Sequence, residues 1–474
     1  MSSELLHATV APMRGTLDAA LPTTFGATTL GTGALGTGAL GPGALGPGAL
    51  GAAERAVPLA EAHALGLAAM GHLGLRPLLR DLGRDGELTA WTCTLRGPDG
   101  VVAPQARGAG KGHRAEARVG AMFEALEHFL SGPARFDHDQ VELCPASWLA
   151  RGELAAEASA VLLAEGGEQP LACASYAGLL DGRELLAPLY LSQPWYTAPA
   201  SHQLRARCGD HYDYRQLARY SVNSGSAIGV TEAEAVVHAL NETIERDAFS
   251  LLLVRAFLTA GQRLTVIDPG SLPAGLAAEL DQVRRRVGTE VHLLDITTEL
   301  GVPTVLAYVP PTAERPHLRG AGTSLSAHHA MHRAISELLQ YALGCATLPR
   351  QADPFAHLAP LRWHAGLHAC GRFDLTAHLA RARRVAFVER FAPEHPQGHL
   401  DRLVSILTGH GFMPYLRRLA TLPGGITAVH VLVPGLERFM VIADGVLVLP
   451  GPRALRARTE WRRRTVGRPE SVPR

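Results

Sequence analysis

The stretch from Ser221 to Phe249 is the strongest structural signal in this chain of 474 residues. It begins with a polar, glycine-containing loop and continues into a long amphipathic segment. Thr231 is followed three residues later by Glu234, the arrangement of a capping box, which predicts that a helix begins near Glu232. At 3.6 residues per turn, its acidic and amide side chains fall on one broad face, namely Glu234, Asn241, Glu242 and Glu245. The remaining faces are apolar, so the pattern predicts a helix that packs its apolar faces on the core and carries its acids on the other side.

Two further segments carry ionisable side chains on predicted amphipathic helices. These side chains are Glu124 and Glu127 in the first segment, and Arg333 and Glu337 in the second. A solitary pair such as Glu242 and Arg246 is usually a solvated i,i+4 ion pair worth about 0.3–0.5 kcal/mol. Carboxylates gathered from three helices would instead repel one another and raise their pKa values unless a cation offset them. Mg²⁺ fits that role, since it takes oxygen ligands from carboxylates and from substrate phosphates.

The only lysine of the chain, Lys111, lies in a glycine-rich run, Gly108-Ala109-Gly110-Lys111-Gly112, just upstream of the first acidic segment. The run predicts a glycine loop, and the lysine makes that loop a candidate phosphate site. It is not a P-loop, because that motif requires Gly at position 105 and Ser or Thr at 112, where this chain has Gln105 and Gly112. A dinucleotide fingerprint followed by a βαβ pattern is also absent from the sequence. Phosphate binding, if present, must therefore use another arrangement.

The composition is that of a globular chain: 47% of the residues are hydrophobic, 19% are charged and the formal net charge is +1. This length has room for a large core and for two lobes. A near-neutral net charge gives no reason to propose a nucleic-acid partner. No apolar run approaches the roughly 20 residues of a membrane span, and the N-terminus lacks the pattern of a secretory signal. We therefore expect a cytoplasmic protein without a membrane partner.

The chain divides into three parts by texture. Residues 1–56 are predicted to be a disordered, low-complexity segment, because a five-residue repeat from Leu30 to Gly51 has too little apolar bulk to offset its ordering entropy. Residues 57–453 have the texture of a globular domain. Residues 454–474 are predicted to be a solvated basic tail.

Apolar periodicity within the globular part predicts a mixed α/β (α+β) fold. The helix candidates are 59–82, 115–130, 232–258, 276–286, 326–342 and 400–410. The strand candidates are 88–95, 291–296, 302–309, 385–388, 427–433 and 439–449. No repeat array is present, which argues against a solenoid or a propeller.

Histidines and cysteines give weaker signals. His328 and His332 lie four residues apart on a predicted helix, as two metal ligands do, but the sequence shows no third ligand and no HExxH motif. Capping or surface histidines are the preferred interpretation. The six cysteines are scattered without a CxxC pair, which argues against a zinc ribbon and gives no disulfide framework. We interpret them as small buried hydrophobes.

Several spaced motifs stand in the order in which one known family has them. They are GKG followed by GAMFEALEH, then NSGSAIGVTEAEAVVHALNETIERDA, LDITTELGVPTVLAYV, AMHRAISELLQ, and VPGLE at 433–437. On these motifs the chain resembles the YcaO-domain proteins, which use ATP to activate backbone amides of peptides. The resemblance implies a YcaO-like catalytic domain over 57–453, with mixed sheets, packed helices, and an ATP and Mg²⁺ site between helices instead of a P-loop.

The resemblance also implies which side chains form that site, when the motifs are matched residue by residue. For catalysis it implies Glu245, Arg246 and Arg333. For ATP binding it implies Lys111, Glu124, Glu127, Glu234, Glu242, Arg333, Glu337 and Gln340. For Mg²⁺ it implies Glu124, Glu127, Glu242, Glu245 and Glu337.

The first acidic motif departs from the family pattern at two positions. Gly120 stands where the family usually has Ser, so a hydroxyl that would meet a phosphate is missing. His128 stands where the family usually has Arg, and a histidine is only partly charged at neutral pH. The carboxylate set is intact, so we expect an active ATP user. The alternative is a non-catalytic accessory protein that binds ATP or peptide.

The resemblance further implies a ribosomally made precursor peptide as substrate. Cyclodehydration of Cys, Ser or Thr to thiazoline or oxazoline, in bacteriocin-like natural-product biosynthesis, is the leading expectation. Thioamide or amidine formation by the same amide activation remains the alternative, because the C-terminus has only Pro469 and Pro473 in place of the PxPxP ending of many azoline formers. A separate leader-peptide-binding partner is expected, since no fused domain of that kind is visible. Similar proteins are commonly dimers, so a homodimer is a further expectation.

Overall fold

Three β-sheets form the framework in a computed structural model of the chain, which describes residues 52–83, 87–259, 263–347 and 353–456. In chain order the described strands are β1 (Arg76–Asp81), β2 (Leu88–Arg96), β3 (Val102–His113), β4 (Glu142–Pro145), β5 (Pro170–Gly178), β6 (Glu184–Pro188), β7 (Ser226–Gly229), β8 (Thr265–Ile267), β9 (His292–Asp295), β10 (Thr304–Val309), β11 (Leu318–Thr323), β12 (Arg383–Val385), β13 (Tyr415–Thr421) and β14 (Thr427–Leu432).

The helices lie between these strands. They are α1 (Leu59–His72), α2 (Arg114–Ser131), α3 (Ala146–Leu149), α4 (Ala160–Glu165), α5 (Pro194–Thr197), α6 (His202–Arg207), α7 (Glu232–Leu253), α8 (Ala274–Val287), α9 (Ala327–Ala346), α10 (Ala365–Arg372), α11 (Thr376–Leu379) and α12 (Pro396–Gly409). A π-helical turn, Val254–Leu258, extends α7.

The sheets are mostly antiparallel. The first has the order β1-β2-β3, the second β11-β10-β9-β8-β12, and the third β4-β5-β13-β14-β7 with β6 paired to β5. The pair β12–β8 is parallel, whereas the other pairs of the second sheet are antiparallel. Mixed sheets with packed helices confirm the predicted α+β class.

Each of the three predicted acidic helices follows a strand and packs an apolar face on a sheet. The face of α2 buries Met122 and Leu126 beside strand β2, and the face of α7 buries Leu240 and Ile244 beside β14. The face of α9 packs similarly, through Ile335, beside β10. Burial of each such side chain contributes about 1.5–3 kcal/mol, so the apolar stripes fix the rotation of the helices and hence the direction of their acids.

Glycines in two strands permit unusually close strand–helix packing. A Cβ added at Gly110 of β3 would lie 1.8 Å from Ala117 O in α2. A Cβ added at Gly320 of β11 would lie 2.1 Å from Leu338 N in α9. Since these neighbours are backbone atoms that cannot swing aside, any side chain at either glycine would push the helix off its sheet.

The predicted glycine loop is therefore wrong: Gly108 to Gly112 belong to strand β3. In that strand Lys111 pairs with Ala90, and Gly110 pairs with Trp91, of β2. The glycines serve packing under α2, which is a tertiary requirement that resembles a loop signal in the sequence.

Three other predicted elements also differ from the structure. The strand predicted over 385–388 lies at Arg383–Val385 and shares only Val385 with the prediction. The helix predicted over 59–82 ends at His72, because Gly74 adopts a left-handed conformation with φ of 69° and strand β1 then begins. The strand predicted over 439–449 is a 3-10 helix at Phe439–Asp444. Its apolar side chains are buried in the core without pairing to a sheet, so hydrophobicity alone misidentified the element.

The ends of the chain are only partly described. The predicted repeat from Leu30 to Gly51 and most of the predicted basic tail lie outside the described residues. The last five residues of the segment predicted as disordered, 52–56, are described and include a 3-10 helix, Ala52–Glu54. At the other end, Ala454 is buried, and its N–H donates to Glu437 over 2.8 Å.

Among the described residues, no helix is long and apolar enough to cross a membrane. The six cysteines are all free thiols. Four of them are buried, as expected, whereas Cys345 is exposed and Cys208 is partly exposed.

Candidate active site

Three helices bring carboxylates to one neighbourhood. The carboxylates are Glu124 and Glu127 on α2, Glu242 and Glu245 on α7, and Glu337 on α9. Repulsion from Glu242 and Glu124 acts on Glu127, and repulsion from Glu337 acts on Glu245. Arg246 joins the two groups, because Glu242, Glu245 and Glu337 all attract it. The five side chains that were predicted as metal ligands therefore share one neighbourhood.

Glu127 experiences negative charge that its surroundings do not offset. Its side chain is buried, and burial together with repulsion from Glu242 and Glu124 raises the pKa of Glu127 well above its ordinary value. Burial also raises the pKa of Glu124, although His128 and Lys111 oppose the shift. Carboxylates in this condition favour either a proton or a bound cation.

Glu245 is a second buried carboxylate whose charge is not fully offset. The residue is 5% exposed, and Oε2 has no hydrogen-bond partner within the described part of the chain. Burial and repulsion from Glu337 raise the pKa of Glu245 to about 7, against the attraction of Arg333, Lys111 and Arg246. A buried acceptor without a partner costs about 1–3 kcal/mol, so a ligand that met Oε2 would relieve a real penalty.

Three cations stand among these acids. Lys111 Nζ donates to Glu337. Arg246 Nη2 donates to Glu242 Oε1 over 3.2 Å, which is the i,i+4 pair expected from the sequence. Arg333 is different, because its buried Nε has no hydrogen-bond partner among the described residues. One donor and one acceptor of the site are therefore left open.

The neighbour of Arg333 on helix α7 supplies no countercharge. Arg333 Nη1 lies 3.5 Å from Nδ1 of His238. Burial and the nearby Arg333 lower the pKa of His238 well below its ordinary value. The imidazole is therefore neutral near pH 7, and its lone pair faces the guanidinium as a weak acceptor.

Strand β3 is held between two of the helices. Ala109 N donates to Glu124 over 3.2 Å, and Gln340 Nε2 of α9 donates to Ala109 O over 2.9 Å. These contacts fix the strand two residues before Lys111. In this structure Gln340, predicted to bind the cofactor, positions the strand that carries the lysine.

Glu234 has partners that the sequence analysis did not predict. Its Oε1 accepts from Arg55 over 2.9 Å, and its Oε2 accepts from Ala56 N over 3.0 Å. Thr231 caps the helix as predicted, accepting from Glu234 N over 3.3 Å. Both carboxylate oxygens of Glu234 thus anchor the segment that precedes the globular domain. No described contact joins them to the other five acids.

The two departures from the family pattern have distinct surroundings. Gly120 lies against strand β3, where an added Cβ would lie 3.5 Å from Gly110 Cα, an ordinary contact distance. His128 Nδ1 donates to Arg107 O over 2.6 Å. A serine at position 120 would therefore fit, whereas His128 already uses one ring nitrogen to brace β3.

The residues present fit a magnesium–polyphosphate group. Carboxylates supply hard oxygen ligands for Mg²⁺, and Glu245 Oε2 is an acceptor in need of a cation. Arg333 Nε, Lys111 and Arg246 supply donors for phosphate oxygens. Five acids and three cations leave an excess of negative charge that a divalent ion would offset.

A second polar cluster lies beside the first. Glu279 of α8 contacts His332 Nδ1 over 2.9 Å and His113 Nε2 over 3.2 Å, and Glu116 lies 3.5 Å from His332 Nε2. The hydrogen bonds from His113 and His332 outweigh burial and lower the pKa of Glu279 to about 2. The same carboxylates outweigh burial and raise the pKa of His332 to about 9. The preferred interpretation of a capping or surface histidine is therefore wrong for His332, which is buried and contacts the carboxylates of Glu279 and Glu116.

Glu54 is a buried polar residue of this region that was not predicted from the sequence. This carboxylate is buried, accepts from Asn241 Nδ2 over 3.3 Å and accepts from Ser324 Oγ. Although burial opposes it, attraction from His329 and the Ser324 hydrogen bond lower the pKa of Glu54. No local pattern marks this residue, because its partners lie on α7 and just before α9.

Comparison with known proteins identifies a family. A family model described as the ATP- and Mg²⁺-binding YcaO cyclodehydratase matches residues 109–437, more than half of the chain. An uncharacterized protein in the tfuA 3′ region of Rhizobium leguminosarum bv. trifolii is 27% identical over 415 residues, covering 80% of this chain and 89% of the relative. An uncharacterized protein of Methanothermobacter thermautotrophicus is 30% identical over 231 residues, covering 48% of this chain and 58% of the relative.

Two solved structures share the fold. The YcaO protein of Methanopyrus kandleri bound with AMPPCP and Mg²⁺ is similar with a TM-score of 0.57 and 19% identity, covering 84% of this chain and 96% of that one. A heterocyclase in complex with substrate and cofactor is similar with a TM-score of 0.56 and 16% identity, covering 85% of this chain. This chain spans 57% of the length of that heterocyclase. At these identities the likeness concerns the fold.

Proposed function

This chain belongs to the YcaO family, whose cofactors are ATP and Mg²⁺, and we propose that it activates backbone amides of a ribosomally made precursor peptide. The proposed reaction is cyclodehydration of Cys, Ser or Thr to thiazoline or oxazoline. In this reaction the side-chain nucleophile adds to the preceding carbonyl carbon, and the carbonyl oxygen leaves the peptide as phosphate. The peptide thus loses one water per ring while ATP is converted to ADP and phosphate.

The observation that carries this proposal is a pair of unmatched atoms. Glu245 Oε2 is a buried acceptor, and Arg333 Nε is a buried donor, and neither has a partner in the described part of the chain. The two side chains lie close enough to interact, since attraction from Arg333 opposes the rise in the pKa of Glu245. A metal ion satisfies the acceptor and a phosphate oxygen satisfies the donor. One Mg²⁺–phosphate ligand therefore accounts for both.

We assign the Mg²⁺ ligands to the acids of the three helices, namely Glu124, Glu127, Glu242, Glu245 and Glu337. ATP with Mg²⁺, when bound, supplies the phosphoryl group that makes the amide oxygen a leaving group. Lys111, Arg246 and Arg333 hold phosphate oxygens and offset the charge that develops on them. Because the helices are packed on sheets, these groups are in place before the substrate arrives.

No enzyme nucleophile is required, which agrees with the composition of the site. The nucleophile belongs to the peptide, so the protein's part is to position the amide and to neutralise charge. Gln340 and Glu124 hold β3 from two sides and thereby set the position of Lys111. Glu234 ties residues 55 and 56 to α7, and we assign it a positioning role at the edge of the site.

A separate leader-peptide-binding protein is part of this proposal. One solved structure that shares the fold is a heterocyclase in complex with substrate and cofactor. We assign recognition of the peptide leader to this partner. A homodimer is compatible with this arrangement and is tested by the mass of the purified protein in solution.

Intact-mass measurement of a candidate peptide tests the proposal. A small Cys-, Ser- and Thr-rich peptide encoded beside this gene is incubated with the protein, the neighbouring leader-binding protein, ATP and Mg²⁺. We expect an ATP-dependent loss of one water per modified residue, and no loss with Glu245→Gln. Exchange of oxygen for sulfur when sulfide is supplied would replace ring closure by thioamide formation. Condensation of an internal amine would replace it by amidine formation.

The accessory alternative has a separate signature. An accessory protein would leave the peptide mass unchanged and consume no ATP. Its Glu245→Gln variant would still have the same effect on a partner enzyme. Turnover that survived Glu245→Gln would contradict the assignment of the metal site. The two departures at Gly120 and His128 leave the five carboxylates in place, which favours the active enzyme.

A further inference from the structure

The cluster of His113, Glu279 and His332 unites side chains from three separate elements. His113 ends β3 and caps α2, Glu279 lies on α8, and His332 lies on α9. One ligand atom from each of the three lies within 4.8 Å of the other two. Glu279 and His332 are largely buried, with side chains 12% and 9% exposed, whereas His113 is half exposed. The cluster is thus rigid on its inner side and open on its outer side.

Two of the three separations within the cluster are close to those of a tetrahedral zinc site, and the third, between His113 and His332, is within 4.8 Å. Ligand atoms bonded to Zn²⁺ at about 2.0–2.1 Å stand about 3.3 Å apart at the edges of a tetrahedron. Glu279 Oε1 lies 3.2 Å from His113 Nε2 and 3.0 Å from His332 Nδ1. Little movement is therefore required for these atoms to close around one ion.

Glu116 supplies the feature that accompanies metal-binding histidines. Its Oε2 lies 3.5 Å from His332 Nε2, on the side of the ring away from Glu279. A carboxylate on the second ring nitrogen fixes the tautomer and the orientation of a ligating histidine. His113 N also donates to Glu116 Oε2 over 3.3 Å, so Glu116 is itself held in place by the start of α2.

We propose that His113, Glu279 and His332 bind one Zn²⁺ ion, with Glu116 orienting His332. Two imidazoles and one carboxylate are ligands that suit zinc, whereas Mg²⁺ prefers oxygen ligands and retains its waters. The site is therefore distinct in chemistry from the five-carboxylate site on α2, α7 and α9. Three protein ligands leave a fourth position open on the exposed side, for water or for a ligand atom.

The location gives this ion a consequence for the neighbouring site. His113 is the last residue of β3, two residues after Lys111 on the same strand, and His332 directly precedes Arg333 on α9. An ion at the cluster would join the end of β3 to α8 and α9. It would thereby fix the two elements that carry the lysine and the arginine assigned to phosphate binding. This inference needs only the geometry of the cluster and does not depend on the proposed reaction.

Zinc binding by the purified full chain tests the proposal. The metal-free protein is titrated with Zn²⁺ against a competing chelator dye, and Co²⁺ is used as a spectroscopic probe of four-coordinate nitrogen and oxygen ligation. We expect one Zn²⁺ per chain, affinity at least tenfold weaker in His113→Ala and in Glu279→Gln, and affinity about tenfold weaker in Glu116→Gln. His202→Ala, which removes an exposed histidine on α6, serves as the control and should bind as the wild type does.

Several results would overturn the site. Equal zinc affinity in the wild type and in folded His113→Ala would leave the cluster as an ion-pair network only. Loss of zinc in Glu245→Gln, with retention in His113→Ala, would place the ion among the five carboxylates. Displacement of Zn²⁺ by excess Mg²⁺ would do the same. Retention of zinc in Glu245→Gln alongside its loss in His113→Ala supports the proposal.

Discussion

Lys111 Nζ donates a hydrogen bond to Glu337, which joins strand β3 to helix α9 across the candidate active site. Burial alone would raise the pKa of Glu337, but attraction from Lys111, with Arg246 and Arg333, lowers it. The lysine therefore keeps one of the five carboxylates ionised, and an ionised carboxylate is the form that binds Mg²⁺. Its place on a strand held by two helices explains how a single lysine serves a site without a P-loop.

Lys111→Met should weaken binding of Mg²⁺–nucleotide by about tenfold to a hundredfold. The estimate follows from the loss of a hydrogen bond to a charged group, worth about 1.5–3 kcal/mol. Calorimetric titration of the purified protein with a non-hydrolysable ATP analogue in Mg²⁺ measures the change. Lys111→Arg keeps the positive charge and should recover part of the affinity. Equal affinity in wild type and Lys111→Met would remove the lysine from the site.

Glu245→Gln should lower ATP-dependent turnover at least a hundredfold, because it replaces a proposed metal ligand in a buried electrostatic site. Glu232→Gln is the matched control on the same helix. Glu232 forms an exposed ion pair with Arg418, so its loss should leave turnover unchanged and alter stability by at most about 1 kcal/mol. Phosphate release in the presence of the peptide measures the turnover of both variants. An equal loss of activity in the two would contradict the assignment of Glu245 as a metal ligand.

Gly110→Ala should destabilise the fold by at least about 3 kcal/mol, since overpacking against backbone atoms has no inexpensive relief. The added Cβ would lie 1.8 Å from Ala117 O and 2.4 Å from Ala121 N. Gly71→Ala in α1 is the control, because a Cβ there meets nothing within 4 Å. That change should stabilise the protein by up to about 1 kcal/mol. Urea unfolding compares the two, and similar midpoints would contradict the packing account.

Glu437 gives a pH prediction that is independent of metal. Burial raises the pKa of Glu437 to about 7, although it accepts from Gly451 N and Ala454 N. The folded state therefore holds a proton that the unfolded state releases near pH 4.5. Stability from this group falls as pH rises from about 4.5 to about 7, by about 3 kcal/mol at about 1.4 kcal/mol per pKa unit.

The variant Glu437→Gln isolates this effect. Its amide resembles the protonated acid and does not titrate. The free energy of unfolding of the variant, relative to that of the wild type, should therefore rise across that pH interval and stay constant above it. Unfolding free energies of both proteins, measured at several pH values between about 4 and 8, give the difference. A difference that does not change with pH would mean that the pKa of Glu437 is not raised.

Local sequence patterns predicted the parts of this fold that depend on local physics. The capping residue Thr231 set the start of α7 at Glu232, as found. The pattern did not predict the partner of Glu234, because Arg55 is 179 positions away in the chain. The periodicity of α2, α7 and α9 likewise located the acids, while their convergence depends on sheet packing.

The rest was hidden for physical reasons that particular residues illustrate. Gly108 and Gly110 resemble a loop, yet they allow β3 to pack directly under α2, which only the tertiary structure reveals. His113, Glu279 and His332 lie on elements far apart in sequence, so no spacing rule joins them. Phe439 and Ile442 look like strand residues because apolar runs do not distinguish a strand from a buried helical turn.

Transfer of the amide oxygen to phosphate tests the central claim most directly, because it is common to azoline, thioamide and amidine products. The candidate peptide is prepared with ¹⁸O in its backbone carbonyl groups and incubated with the protein, its leader-binding partner, ATP and Mg²⁺, and the inorganic phosphate is analysed by mass. The account predicts one ¹⁸O atom in phosphate for each modified residue and no labelled phosphate with Glu245→Gln. Modified peptide accompanied only by unlabelled phosphate would contradict activation of the amide oxygen by phosphoryl transfer.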